Sequence, residues 1–149
     1  MILQKEEVLR SNSDTFAIIK LKIKDVEYLI EVGSGSQLMF LPDANNNVVL
    51  LDIAVGDVKV KKVSAGKGAY LVIKTVSYLA ELEEGMLYVS SYGDVGKFRK
   101  WYVPGVYKIE VDVIEGQVYV VDYNEKGPRY DTGVMLTIGQ KIEAVGELK

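Results

Sequence analysis

The clearest alternation of apolar and polar residues in this chain lies between Thr15 and Val32. Two alternating runs meet there at Lys24-Asp25, a polar pair that suits a tight turn. The predicted cross-strand pairs are Ile23 with Val26, Leu21 with Tyr28, Ile19 with Ile30, Ala17 with Val32, and Lys22 with Glu27. A slip of one residue would bring charged side chains into the apolar row. The pattern therefore predicts a β-hairpin with a defined register.

A second hairpin is predicted between residues 106 and 123. Val106–Ile114 and Gln117–Tyr123 both alternate, and Glu115-Gly116 between them supplies a glycine that can adopt the positive φ such turns require. The expected register pairs Val113 with Val118 and Val111 with Val120. The opposite face of this hairpin would then be polar and rich in tyrosine.

Six further segments have strand-like composition and are bounded by turn-forming residues. They are Leu38–Leu41, Val48–Ile53, Val58–Val63, Ala69–Leu82, Met86–Ser90 and Tyr130–Ile138. Tyr70–Leu79 is apolar at both parities, which predicts a central strand covered on both faces. Leu79–Glu84 is the one place where a helical turn is expected, before Gly85. Gly133 predicts a bulge or bend in the last strand.

The spacing of these segments defines the predicted fold class. Strands recurring roughly every 8–12 residues, without amphipathic helices between them, favour a sandwich or barrel. The chain of 149 residues has no repeat and no linker that would divide it. We therefore predict an all-β, mainly antiparallel domain over residues 1–149. It would be a jelly-roll-like β-sandwich or a small barrel with at most one short helix.

Composition narrows the chemistry that this domain can perform. The chain lacks cysteine and histidine, so disulfides, thiolate zinc sites and imidazole catalysis are excluded. A net charge of −3 provides no overall basic field for nucleic acid or anionic lipid. The absence of a secretory signal and of a long apolar run predicts no membrane insertion and a cytoplasmic or virion-associated protein. The composition also resembles that of proteins from thermophiles.

Three polar segments resemble known motifs but depart from them at required positions. Lys61–Gly68 lacks the first glycine and the final Ser or Thr of a phosphate-binding loop. Gly33–Leu38 has leucine in place of the third glycine of a dinucleotide loop. Asp43–Asn47 is followed by Val48, where a calcium loop needs glycine. We therefore predict no catalytic residue, no metal site and no cofactor.

The segment from Tyr92 to Tyr102 is the leading candidate for a ligand-binding surface. Its candidate residues are Tyr92, Lys97, Phe98, Arg99, Lys100, Trp101 and Tyr102. Aromatic faces can stack on sugars or unpaired bases, and the basic groups can follow phosphates. The alternative is that Phe98 and Trp101 close the end of the core.

Two other groups of residues could contact a partner. Lys108, Glu110, Asp112, Tyr119 and Tyr123 share the polar face of the second predicted hairpin, where tyrosine could supply contact area at an interface. Lys20 and Lys22 on one strand, and Lys59 and Lys61 on another, would form a basic stripe if their strands were adjacent. Glu27 and Glu31 would neutralise part of that stripe.

These features favour a non-enzymatic β-sandwich used for assembly or recognition, as in a structural or viral protein. Its partner would be a second copy or another protein. A β-barrel that binds single-stranded nucleic acid is the first alternative. The second is a carbohydrate-binding or carboxylate-dependent glycoside-active domain, since Asp and Glu are the acid–base groups present in quantity.

Overall fold

The computed structural model describes residues 7–10, 17–23, 26–43, 48–63, 71–93, 105–124 and 126–148. Most of these residues lie in ten β-strands, and the described ranges contain no helix. The strands are β1 (Glu7–Arg10), β2 (Ala17–Ile23), β3 (Val26–Val32), β4 (Gln37–Asp43), β5 (Val48–Lys62), β6 (Leu71–Lys74), β7 (Tyr78–Gly93), β8 (Gly105–Asn124), β9 (Gly127–Thr137) and β10 (Lys141–Leu148). The predicted all-β class is confirmed. The sheet closes into a small barrel of five strands with additional strands.

Three long strands, β5, β7 and β8, each contribute to two parts of the continuous sheet. The β4–β9 half-sheet contains β1, β4, residues 48–55 of β5, β6, residues 78–84 of β7, residues 117–124 of β8, and β9. The β2–β10 half-sheet contains β2, β3, residues 56–62 of β5, residues 86–93 of β7, residues 105–115 of β8, and β10. Apart from the parallel pair of β5 and β6, the strand pairs of the described ranges are antiparallel.

Both half-sheets contribute to one hydrophobic core. Its largest fully buried side chains include Tyr28 and Ile30 from β3, Phe40 from β4, Leu51 from β5 and Ile109 from β8. Tyr28, Ile30, Phe40 and Ile109 alternate with exposed or half-buried neighbours, as a sheet with one covered face requires, whereas Leu51 begins a stretch of β5 that is buried on both faces.

The first predicted hairpin is confirmed in every pair. β2 and β3 pair with Ile23 opposite Val26, Leu21 opposite Tyr28 and Lys22 opposite Glu27. The pairs Ile19 with Ile30 and Ala17 with Val32 also form. Lys24 and Asp25, the proposed turn, lie outside the described residues.

The second predicted hairpin is wrong. Val106–Ile114 and Gln117–Tyr123 are parts of one strand, β8, so Val111 does not face Val120 and Val113 does not face Val118. β8 instead pairs with β7 on both sides of Gly116, which lies opposite Gly85. Both glycines have positive φ, 77° for Gly116 and 93° for Gly85, and the register shifts beside them. The glycine conformation expected in a turn therefore forms an irregularity within a continuous strand pair.

The prediction of one strand over Ala69–Leu82 is also wrong. Leu71–Lys74 and the strand starting at Tyr78 are antiparallel neighbours joined by a tight turn. The buried Thr75 hydroxyl accepts hydrogen bonds from the amides of Ser77 and Tyr78, at 3.3 and 3.0 Å. These bonds satisfy the turn backbone without the glycine, proline, Asn or Asp that usually indicates a turn. β6 does lie between β5 and β7, but it is only four residues long.

Other predicted segments join into longer strands. Val48–Ile53 and Val58–Val63 both fall in β5, apart from Val63 at its end. The helical turn expected at Leu79–Glu84 is wrong, because this segment belongs to β7 together with Met86–Ser90. The bulge expected at Gly133 is confirmed. Val120 of β8 pairs with Val134 of β9, but Asp122, two residues later, pairs with Arg129, so β9 has extra residues between these two pairs. β1 and β10 were not predicted.

Candidate functional site

The predicted ligand-binding segment lies mostly outside the described residues. Lys97, Phe98, Arg99, Lys100, Trp101 and Tyr102 are not described. Tyr92 is near the end of β7, where its register partner on β8 is Lys108. The binding surface proposed for this segment stays a prediction.

The predicted interface residues of β8 fall on both sides of Gly116. Lys108, Glu110 and Asp112 belong to the β2–β10 half-sheet, where they alternate with buried core valines and isoleucine and so face outward. Tyr119 and Tyr123 belong to the β4–β9 half-sheet. The structure therefore brings the three charged residues together and places the two tyrosines on another part of the surface.

Glu110 takes part in a group of charged side chains that joins β8 to β10. It lies directly opposite Glu143. The Lys141 Nζ atom is 3.4 Å from Glu110 Oε1 and 3.3 Å from Glu143 Oε1, so one ammonium bridges two carboxyl groups. The positive charge of Lys141 offsets the repulsion between Glu110 and Glu143, which are directly opposite each other on neighbouring strands.

The two carboxyl groups have opposite pKa shifts. The hydrogen bond with Glu143, then burial, then the charge of Asp112 raise the pKa of Glu110, against the influence of Lys141. The hydrogen bond with Glu110, followed by that with Lys141 and its charge, lowers the pKa of Glu143. A proton at this site is therefore held first by Glu110.

Asp112 lies beside this charged group. Its register partners are Tyr88 on β7 and Lys141 on β10. Its Oδ1 atom is buried and has no hydrogen-bond partner in the described part of the chain. This atom adds negative potential next to Glu110, which agrees with the raised pKa of that residue.

The carboxylate pair lies on an open sheet face rather than in a cleft. The side chains of Lys141 and Glu143 are 59% and 41% exposed. Two-carboxylate glycoside hydrolysis needs both groups to flank one bound sugar, and this flat arrangement does not enclose one. Among the residues that the structure describes, no group of three or more acidic side chains could hold a metal ion.

Tyr123 packs in a partly buried cluster. The Lys74 Nζ atom lies 4.7 Å from the centroid of the Tyr123 ring and 3.2 Å from Asp52 Oδ2. The side chains of Lys74 and Asp52 are only 13% and 3% exposed. The lysine thus bridges a buried carboxylate and an aromatic face, and its charge compensates that of the carboxylate.

Tyr119 has a structural contact of its own. Its hydroxyl end lies where a Cβ atom on Gly133 would stand. The tyrosine therefore covers the backbone of a glycine on the neighbouring strand β9, as aromatic residues do in other sheets. Both predicted interface tyrosines are half-buried by contacts within the chain.

Several apolar side chains are exposed along the β9 edge. In the described part of the sheet, β9 pairs with β8 alone. Val134 and Met135 point to opposite faces and are each 46% exposed, while Tyr130 and Ile138 are 64% and 68% exposed. Val134 lies opposite the buried Val120, so its side chain is on the core face. One apolar side chain on the core face of β9, that of Val134, is therefore exposed, while Leu136 on the same face is buried.

The sequence identified the strand at Tyr130–Ile138 but not its position at an edge. The available signal was the run Val134-Met135-Leu136, which is apolar at both parities beside the polar Arg129-Tyr130-Asp131. Such a run is typical of a strand that is covered on both faces. In the structure this run lies in an edge strand, where the Val134 and Met135 side chains are each 46% exposed.

The two lysine-bearing strands, β2 and β5, are not adjacent to each other. β3 lies between β2 and β5, and Lys59 Nζ is 3.9 Å from Glu31 Oε2. Lys20 and Lys61 lie on either side of Leu29 in the same row. The condition set for a basic stripe, adjacency of β2 and β5, is therefore not met, and Glu27 and Glu31 on β3 lie between the two pairs of lysines.

The described residues contain no helix of the length and apolar character needed to cross a membrane. No family model matches the sequence. No curated protein matches it either.

Two solved structures resemble the fold. Both are of a "putative anti-sigma factor" from Parabacteroides distasonis ATCC 8503, with TM-scores of 0.62 and sequence identities of 10% and 9%. They match 96% and 95% of this chain, which spans 59% of the length of each. At such identity the likeness extends to the fold alone.

Proposed function

We propose that this chain is a non-enzymatic assembly and recognition module that associates with a second copy through β9. The observation that carries the proposal is the exposure of Val134 and Met135 on opposite faces of one edge strand. An edge strand offers unpaired backbone groups to another chain. Apolar side chains on both faces add the hydrophobic contact that stabilises such pairing.

The pairing would extend the core as well as the sheet. Val134 lies on the core face, so a strand beside it would cover a side chain that the chain leaves 46% exposed. Natural proteins usually protect an exposed edge with charge, proline or a bulge. In β9 the irregularity lies between Arg129 and Val134, with the Arg129–Asp131 ion pair beside it, and the Val134–Leu136 portion that follows has no charged residue.

A two-fold axis at Val134 gives a register in which the exposed apolar side chains of the two copies face one another. Antiparallel pairing about this axis would place Val134 opposite its copy and Tyr130 opposite Ile138. Met135 would lie opposite Gly133, where its side chain could pack against the Tyr119 ring that covers this glycine. No like charges face one another in this register.

Sedimentation equilibrium over a range of concentrations tests the proposal. The chain should form dimers, and Val134→Lys should weaken dimerisation by about a hundredfold because a charge would enter the apolar contact. Ile18→Lys is the matched control, since Ile18 is 57% exposed but lies on β2. A native chain that stays monomeric at the highest concentration would contradict the proposal.

Binding of single-stranded nucleic acid or of a glycan remains the alternative. Both alternatives depend chiefly on the aromatic and basic residues 97–102, which lie outside the described residues. The thermophilic origin and the cytoplasmic or virion location also stay predictions.

A further inference from the structure

The β2 edge of the molecule differs from the β9 edge in its charge. Within the described ranges, β2 pairs on one side only, with β3. Its outward-facing residues are Ile18, Lys20 and Lys22, and all three are exposed. The β2 edge is therefore basic where the β9 edge is apolar.

The positive charge at this edge is only partly balanced. Lys59 has Glu31 as its ion-pair partner, and Lys22 lies opposite Glu27. The register partner of both Lys20 and Lys61 is instead the half-buried Leu29. No described carboxylate forms an ion pair with either lysine. Two ammonium groups thus flank an apolar side chain, in a chain whose net charge is −3.

A groove of about 370 Å³ lies along this surface. Its lining includes Lys20, Lys22, Glu27, Leu29 and Val63. Val63 is 53% exposed and contributes an apolar wall. The groove combines a basic margin with an apolar interior, which suits an acidic ligand that also carries apolar groups.

We propose that the β2 edge binds an extended acidic segment of another protein, which adds to β2 as a further strand and places its acidic side chains beside Lys20 and Lys22 at the margin of this groove. Lys20 and Lys22 are two residues apart on one face of β2, and this spacing is about 7 Å in any strand. Acidic residues at alternate positions of an added antiparallel strand would therefore lie directly opposite the two lysines. The intervening residues of that strand would face the core side of the sheet and would be apolar.

The aromatic content of the groove favours a peptide over nucleic acid. Proteins that bind single strands without sequence preference stack bases on exposed aromatic rings. Tyr28 is the aromatic residue among the described lining residues, and it is 1% exposed. The groove instead has lysines beside aliphatic side chains. This combination suits a peptide strand that carries carboxylates together with apolar side chains.

Fluorescence anisotropy with defined peptides tests the proposal. The probe is a short fluorescein-labelled peptide in which glutamate alternates with valine and threonine. Two matched peptides replace its glutamates with glutamine, or two of its threonines with proline, which removes backbone donors. A labelled oligothymidylate is the nucleic-acid probe. All are titrated at low salt, where charge attraction is strongest.

The glutamate peptide should bind, and both matched peptides should bind at least about tenfold more weakly. The double variant Lys20→Gln/Lys22→Gln should lose about tenfold in affinity for the glutamate peptide. Lys108→Gln/Lys126→Gln removes the same net charge away from the groove and should change affinity by less than about twofold. Circular dichroism and thermal melting establish that each variant is folded.

Three outcomes would overturn the proposal. The first is equal binding of the glutamate and glutamine peptides, or no binding of either. The second is equal loss of affinity in both double variants, which would indicate attraction by overall charge. The third is tighter binding of the oligothymidylate than of the peptide, with loss in Lys20→Gln/Lys22→Gln, which would assign the groove to nucleic acid.

Discussion

Gly85 of β7 lies directly opposite Gly116 of β8, and both residues have positive φ. A Cβ atom on Gly116 would overlap the carbonyl oxygen of Glu84, and one on Gly85 would overlap that of Glu115. The two backbones thus approach each other at the point where both long strands pass from one half-sheet to the other. This close approach requires glycine on both strands.

Gly116→Ala is therefore expected to be strongly destabilising. It combines a disfavoured φ with overlap between backbone atoms, so the free energy of unfolding should fall by about 3 kcal/mol or more. Gly139 is a matched control, since it has φ of 82° but open space around the position of a Cβ atom. Gly139→Ala should cost about 1 kcal/mol. Urea denaturation measures both, and equal losses would show that the close approach is unimportant.

Gly116 also explains why a hairpin was wrongly predicted within β8. Glu115-Gly116 between two alternating runs is a strong local signal for a hairpin. The same positive φ also occurs at a strand irregularity, and only the partner strand decides between the two. That partner, β7, begins at Tyr78, which is 38 positions before Gly116 in the chain. The register of β2 and β3 could be predicted because its determinants are adjacent in sequence.

The site was predictable to a similar extent. The parity of β8 placed Glu110 and Asp112 on one outward face, and the structure agrees. The contacts of Glu110 with Lys141 and Glu143 depend on the pairing of β8 with β10, a strand that the sequence did not reveal. The exposure of Val134 was also hidden, because an apolar run does not indicate whether a strand is central or at an edge.

Removing Lys74 should test the buried ion pair with Asp52. Lys74→Met leaves the nearly buried Asp52 carboxylate without its lysine, and should lower the free energy of unfolding by about 3 kcal/mol. Lys59→Met is the surface control, because the side chains of Lys59 and Glu31 are 43% and 46% exposed. That change should cost less than about 1 kcal/mol. Chemical denaturation at neutral pH measures the free energy of unfolding of both variants. An equal decrease in the two variants would show that burial of the ion pair does not matter.

The opposed pKa shifts of Glu110 and Glu143 predict opposed pH effects. The pKa of Glu110 is raised above its ordinary value of 4.5, so the folded chain binds this proton more tightly than the unfolded chain. Glu110 therefore contributes stability increasingly as the pH falls through its raised pKa. The pKa of Glu143 is lowered, so its contribution is present above 4.5 and is lost as the pH falls through the lowered value.

The variants Glu110→Gln and Glu143→Gln each remove one carboxyl group of this hydrogen-bonded pair. As the pH falls from about 7 towards 4.5, the native chain should gain stability relative to Glu110→Gln. Below 4.5 it should lose stability relative to Glu143→Gln. Urea denaturation at a series of pH values gives both differences. The same direction of change in both comparisons would show that the pair does not titrate as described.

Cysteine cross-linking tests the proposed assembly through β9 most directly. The natural chain has no cysteine, so Val134→Cys introduces one thiol at the proposed two-fold axis. Two such residues directly opposite each other in an antiparallel pair lie about 5 Å apart between Cα atoms, within the range of a disulfide. Val145→Cys is the control, because Val145 is 70% exposed but lies on β10. Under mild oxidation Val134→Cys should form a covalent dimer and Val145→Cys should stay monomeric. A monomeric Val134→Cys, or equal cross-linking of both variants, would contradict the assembly proposed here.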